Sequence, residues 1–153
     1  MKTSGNACLF HFFLAGILLP PIFGCSDGRP HRVPVRGAVY LDSQPLDGNF
    51  QGYVRLIPQS GGRSAQAALD ENGQFILGNY EEADGCPPGN YRVEICVVRI
   101  EGNQMRYVIP PRYGNSQTSG VTVTIQNENK PLILSAEWKP EDEKWRKKVI
   151  VME

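Results

Sequence analysis

The stretch from Asp70 to Val98 sets the tightest limit on how this chain can fold. It reads DENGQFILGNYEEADGCPPGNYRVEICVV. Asp70-Glu71-Asn72-Gly73 is a tight turn, and Asn72 and Gly73 are residue types suited to positive φ. Phe75 and Leu77 alternate in a short strand behind it. Pro87-Pro88-Gly89-Asn90 stops the chain and turns it again. From there Tyr91, Val93, Ile95 and Val97 share one face, while Arg92, Glu94 and Cys96 share the other. A period of two is that of a half-buried strand. Turns that each launch an alternating strand predict a small β-sandwich and name no chemistry.

The N-terminus reads as an address. Lys2 is the one charge before an apolar stretch from Ala7 to Leu19, interrupted by His11. That stretch is too short for a comfortable transmembrane helix and has the form of a secretory signal. Ile22-Phe23-Gly24-Cys25 resembles a bacterial lipobox, in which a small residue precedes the Cys that becomes lipid-modified. Phe23 and Pro20-Pro21 depart from that pattern, and ordinary cleavage nearby or a retained anchor are the alternatives. Lipid on Cys25 would tether the domain to a membrane surface, with Ser26 to Arg32 as a flexible stalk. The expected division is residues 1–24 as signal peptide, 25–32 as lipidated Cys and linker, 33–138 as sandwich, and 139–153 as a charged tail.

Removing residues 1–24 leaves 129, one domain's worth. The chain's 16 Gly and 12 Pro suit short strands and turns. Formal net charge is zero over the whole chain, and losing Lys2 leaves 15 basic and 16 acidic residues. No charge excess points to nucleic acid. Cys86 and Cys96 stay in the mature domain, and an oxidising compartment would let them pair. An extended strand of six residues separates their ends by about 20 Å, which favours a loop Cys and a half-buried strand Cys instead.

Further strands are predicted at Val33–Leu41, with Gly37 as a bulge or close approach, and at Gln51–Pro58, with Val54 and Leu56 inward. Ser64–Leu69 reads as a weak strand and a candidate edge. Others follow at Gln104–Ile109, Val121–Ile125 and Pro131–Trp138. Pro110-Pro111 cannot pair regularly because neither residue has an N–H. After Pro140, acids precede bases, which suits a helix dipole. Such a helix would need docking through Trp145, and Val149–Met152 could instead add an edge strand.

With these features in place, the chain resembles one family. Gly37, the D-x-x-x-P-L turn of Asp42, Pro45 and Leu46, the D-x-N-G-x-F turn at Asp70 and the P-G-x-Y-x-V strand start at Pro88 resemble the carboxypeptidase regulatory-like, transthyretin-like domain. IPPRYGNSQTSGVTVTI resembles a segment of small planctomycete lipoproteins that carry this domain. The likeness spans about residues 33 to 136. It implies a seven-stranded transthyretin-like or Ig-like all-β sandwich, a cell-envelope location and no catalytic residues. It does not extend to the charged tail, Cys86 or Cys96.

Enzyme readings lack parts. The mature chain has one histidine, His31, in the stalk, so a Ser-His-Asp triad or His-based zinc site has no source within the domain. No phosphate-binding glycine motif occurs. Glu81, Glu82 and Asp84 are paired-carboxylate candidates, but a Gly/Pro loop usually presents solvated charge. Asp70, Asn72 and the acidic loop offer oxygen ligands for calcium, though Asx-Gly turns need no ion. Tyr80, Tyr107, Arg112 and Tyr113 lie in or beside loops as possible ligand contacts, Tyr80, Arg112 and Tyr113 foremost. The competing reading of Tyr113 is packing over a sandwich end. The resulting expectation is a non-catalytic, membrane-anchored envelope domain with a structural or protein-binding role, needing no cofactor. A carbohydrate- or calcium-binding module is the alternative.

Overall fold

The computed structural model describes residues 28–126 and 130–152. The leader, Cys25 and most of the polar turn after Gln126 lie outside that range. The strands are β1 (Arg36–Leu41), β2 (Gln44–Pro45), β3 (Gln51–Pro58), β4 (Ala65–Ala68) and β5 (Gln74–Ile76), followed by β6 (Gly89–Glu101), β7 (Gln104–Tyr107), β8 (Thr122–Ile125), β9 (Leu132–Ala136) and β10 (Ile150–Val151). A one-turn helix, α1 (Glu143–Arg146), and two 3-10 turns, Pro111–Gly114 and Pro140–Asp142, complete the described residues. The architecture is an all-β sandwich of two sheets. The seven strands that the resemblance implies become ten among the described residues, in part because β2 and β10 are pairings of only two residues, too short for an alternation signal. Among the described residues no helix is long and apolar enough to cross a membrane.

β6 is the spine of the larger sheet. One edge pairs with β3 along eight residues, from Gln51↔Val98 to Pro58↔Tyr91. The other edge is shared: β8 takes Gly89–Arg92 and β7 takes Val98–Glu101. The chain between β7 and β8 bulges there, and the Pro111–Gly114 turn packs against β6. β4 continues the sheet beyond β3, and β10 pairs with β7.

The smaller sheet is built on β1. β5 and β2 pair antiparallel with its first and last residues, while β9 runs parallel to it from Gly37↔Leu132 to Leu41↔Ala136. Asp42 and Ser43, at φ 49° and 65°, make the mirror-image turn that suits a two-residue hairpin. β1 begins later than Val33 because Pro34 has no N–H to pair. Val33 itself makes a lone bridge to Cys86. In the Asp70 turn Gly73 takes positive φ and Asn72 does not, and Asp70 Oδ1 accepts the N–H groups of Asn72 at 2.9 Å and Gln74 at 2.7 Å.

The core lies between the sheets. Val39, Leu134 and Ala136 from one meet Val54, Leu56, Val93, Ile95 and Val97 from the other, all essentially sealed from solvent. Each such aliphatic side chain contributes about 1.5–3 kcal/mol by burial. Cys86 is buried and free, and Cys96 is free on the outer face of β6. Burial pushes the Cys86 thiol up to about 11, so it stays protonated and inert near neutral pH. The tail uses both expected forms: α1 docks Trp145 edge-on to Tyr107 at 6.1 Å, and β10 then adds a short edge strand.

Gly37 lets the smaller sheet close on itself. A Cβ there would collide with the Leu132 carbonyl oxygen and the Phe75 ring. Gly37→Ala is therefore expected to cost about 1–3 kcal/mol of stability by overpacking, measured by urea unfolding, with an unchanged slope and a lower midpoint.

Candidate functional site

A groove of about 1210 Å³ opens where β4 of one sheet diverges from β5 of the other. Those strands touch at the bridge Gln66↔Gly78 and through Asp70 N–H to the Gln74 carbonyl at 2.9 Å, and they form no ladder between. Tyr53, Arg55 and Ala68 line its sheet wall, and Tyr80 and Glu81 line its far end.

The far end is built by the loop Asn79–Gly85. Asp84 closes it from inside: Oδ1 accepts the Asn79 N–H at 2.6 Å, and Oδ2 accepts those of Tyr80 at 3.2 Å and Glu81 at 3.1 Å. Arg32 Nε lies 3.2 Å from the same carboxylate. Burial alone would raise the Asp84 pKa. The peptide N–H groups of Asn79, Glu81 and Tyr80, with the Arg32 charge, outweigh that and hold it below the ordinary carboxylate value. Ala83 at φ 59° and Gly85 at φ 85° permit the tight return. Asn79 is buried, its side-chain amide N–H groups donating to the carbonyls of Arg63 and Ser64, while its main-chain carbonyl accepts from Arg63 Nε at 2.5 Å.

Three guanidiniums surround the Tyr80 ring: Arg29 at 5.0 Å, Arg63 at 5.1 Å and Arg32 at 5.3 Å from its centroid. Arg29 also pairs with Glu81 at 2.8 Å. The segment read as a flexible stalk is thus, from Arg29 onward, a strap laid on the sandwich. Arg32, Arg63 and Asn79 were not singled out in the sequence. Arginines in a linker and a glycine loop give no local sign that they converge on one ring. Arg32 Nη1 and Asn79 Oδ1 are buried without a protein partner, so polar matching is least complete at this end of the groove.

The other two candidate contacts lie elsewhere and are turned inward. Tyr113 is 7% exposed, and its hydroxyl accepts from Arg112 Nη2 at 2.9 Å and from the Glu137 N–H at 3.1 Å. Arg112 also ion-pairs with the buried Asp142 and donates to the Glu137 carbonyl at 2.8 Å. Ligand contact by Arg112 and Tyr113 is therefore corrected to an internal network that pins the Pro110-Pro111 crossing and the tail to the sandwich end. Tyr107 packs on Trp145. Tyr80 alone of the three foremost candidates lines the groove.

The arrangement offers little reactive chemistry. Glu81 is paired, Asp84 is saturated by the loop it closes, and His31 is exposed on the strap. The Asp70 carboxylate is spent on its own turn. Among the described residues no three His, Cys, Asp or Glu side chains stand close enough to hold a metal ion. Compared with protein-family models, characterised proteins and solved structures, the chain matches none.

Asp84 gives the acid limb of stability a defined origin. Its folded pKa is depressed, so its contribution is complete above the unfolded value of about 3.9 and is lost as pH falls through the folded value. Asp84→Asn is expected to melt several degrees lower at pH 7, with the difference from the parent shrinking steadily below about pH 4. Thermal melts across that range check this; a gap independent of pH would show that the charge is not what closes the loop.

Proposed function

We propose that the chain is a non-catalytic, membrane-anchored envelope lipoprotein domain that binds an extended segment of a partner protein along the free edge of β9. The observation that carries this reading is that edge. Among the described residues β9 pairs with β1 alone, and its sequence LILSA is uncharged, with Ile133 56% exposed. Soluble domains ordinarily block such edges with Lys, Pro, bulges or covering chain. Of the other edges, Gly78 bridges β4 at Gln66, β10 is two residues long, and β8, which among the described residues likewise pairs with one strand, exposes no large apolar side chain. An uncovered edge is a template for strand addition, with main-chain bonds giving affinity and alternate side chains giving selectivity.

The outer face beside that edge adds apolar surface. Ala38 stands opposite Ile133, and exposed Ile76 stands opposite Arg36. A glycan-binding reading needs free aromatic faces, yet Arg55 covers Tyr53 at 5.5 Å and the three arginines surround Tyr80. The tether itself rests on Ile22-Phe23-Gly24-Cys25.

Two measurements test this reading. Ala136 gives its carbonyl to Asp42 N–H of the β1 end, so strand alternation turns the Ser135 N–H outward. Ser135→Pro should then keep the fold and block the edge. A photo-crosslinker at Ile133 in cells should give a discrete adduct that Ser135→Pro removes; no adduct, or one that survives the substitution, overturns the edge. Separately, intact mass should show an acyl increment on Cys25 and recovery in membranes, both lost in Cys25→Ala. An unlipidated soluble chain would overturn the tether and leave the edge reading intact.

A further inference from the structure

The core-facing side of β6 does not stay apolar to its end. Tyr91, Val93, Ile95 and Val97 are buried in succession, and the next two residues on that face are Arg99 and Glu101, both exposed. Alternation keeps Arg99 on the Val97 side. The strand therefore runs past the core and carries a cation into the open end between the sheets. In the β6–β7 ladder Arg99 stands directly opposite Arg106. Opposed residues project to the same face, and like charges in that position repel. A third guanidinium, from Arg146 of α1, lies 5.8 Å over the Trp138 ring.

Arg99, Arg106 and Arg146 line one pocket of about 360 Å³. Leu41 and Trp138, from the end of the smaller sheet, form its apolar wall, and Glu101 is its one acid. Arg99 Nε donates to the Asn49 carbonyl at 3.1 Å. Among the described residues none of the three arginines is in an ion pair. The contrast with the Tyr80 cluster decides between the two. There Arg29 has Glu81, Arg32 has Asp84 and Arg63 has the Asn79 carbonyl. In that cluster two of the three guanidiniums are met by acids, whereas in the inter-sheet mouth none is.

A local arrangement that opposes folding is expected at functional or strained positions. We propose that this mouth binds an oxyanion, a phosphate or sulfate group held by Arg99, Arg106 and Arg146 against the Trp138 wall. Guanidinium forks match tetrahedral oxyanions in geometry, and the apolar wall strengthens the charge-assisted bonds. The volume accommodates the anionic group of a small phosphorylated solute or of a phospholipid head. The site depends on neither the tether nor the β9 edge.

The test uses the full chain and thermal melting. Sodium phosphate should raise the melting temperature saturably, beyond sodium chloride at equal ionic strength. Arg106→Glu should melt higher than the parent without phosphate, because the opposed pair becomes attractive, and should bind phosphate about tenfold or more weakly. Arg146→Gln, in an exposed one-turn helix, should show the same weakening with the sheet untouched. Glycerophosphoglycerol, a soluble phosphodiester, separates the sources: a response to it as well as to phosphate assigns lipid heads, and a response to phosphate alone assigns free phosphate or its monoesters. Responses to both no greater than to chloride, or variants that bind like the parent, overturn the proposal.

Discussion

The length of β6 is the constraint on which the rest of this molecule depends. Thirteen residues of one strand serve β3 along one edge and β8 and β7 in turn along the other. A strand that long has a fixed inner face, so its odd-numbered residues must supply the centre of the core. Tyr91 through Val97 do so. Sharing one edge between two short strands leaves a gap that regular pairing cannot fill. The proline-started turn at Pro111–Gly114 fills it, with Tyr113 turned inward as its plug. Because β6 outruns the core, the same alternation that buries Val97 delivers Arg99 to the sandwich mouth.

Two polar clusters then fasten the ends of the chain to this frame. At one end Asp84 gathers three peptide N–H groups and the Arg32 guanidinium, fixing the loop on which the N-terminal strap lies. At the other, Arg112 binds Asp142, the Tyr113 hydroxyl and the Glu137 carbonyl, holding the tail that α1 and β10 complete. Neither cluster is a cheap source of stability, since a buried ion pair recovers little more than its desolvation cost. Each fixes geometry, because removing one partner leaves the other charge or donor stranded. These clusters engage the polar atoms of Asp84, Asp142 and Tyr113 within the fold.

The three surfaces left unengaged differ in kind. The β9 edge offers unpaired strand, the groove offers tyrosines already capped by arginines, and the mouth offers three arginines to one acid. Affinity comes from what remains unsatisfied in the free protein, and that ordering places the edge and the mouth above the larger groove.

Local chemistry made much of the fold legible in the sequence. Alternation from Tyr91 to Val97, the Asp70 and Pro87 turns and the inward pair Val54 and Leu56 all depend on residues near one another in the chain. So did the dual character of the tail. The strap and the candidate site were less legible. Tyr80, Arg112 and Tyr113 were equal candidates for ligand contact, with packing over a sandwich end as the competing reading of Tyr113, because a loop sequence does not say which way it folds; only Tyr80 lines the groove. The parallel pairing of β9 with β1, the docking of Arg29 and Arg32 on Tyr80, and the joining of Arg146 to Arg99 and Arg106 bring together residues tens of positions apart. By itself the sequence determined that alternating strands would form and which of their faces would be buried, because those properties are set by side chains two residues apart. Which strands became neighbours, in what register and around which charges was decided only by the tertiary structure, since those matches exist only once distant segments share one core.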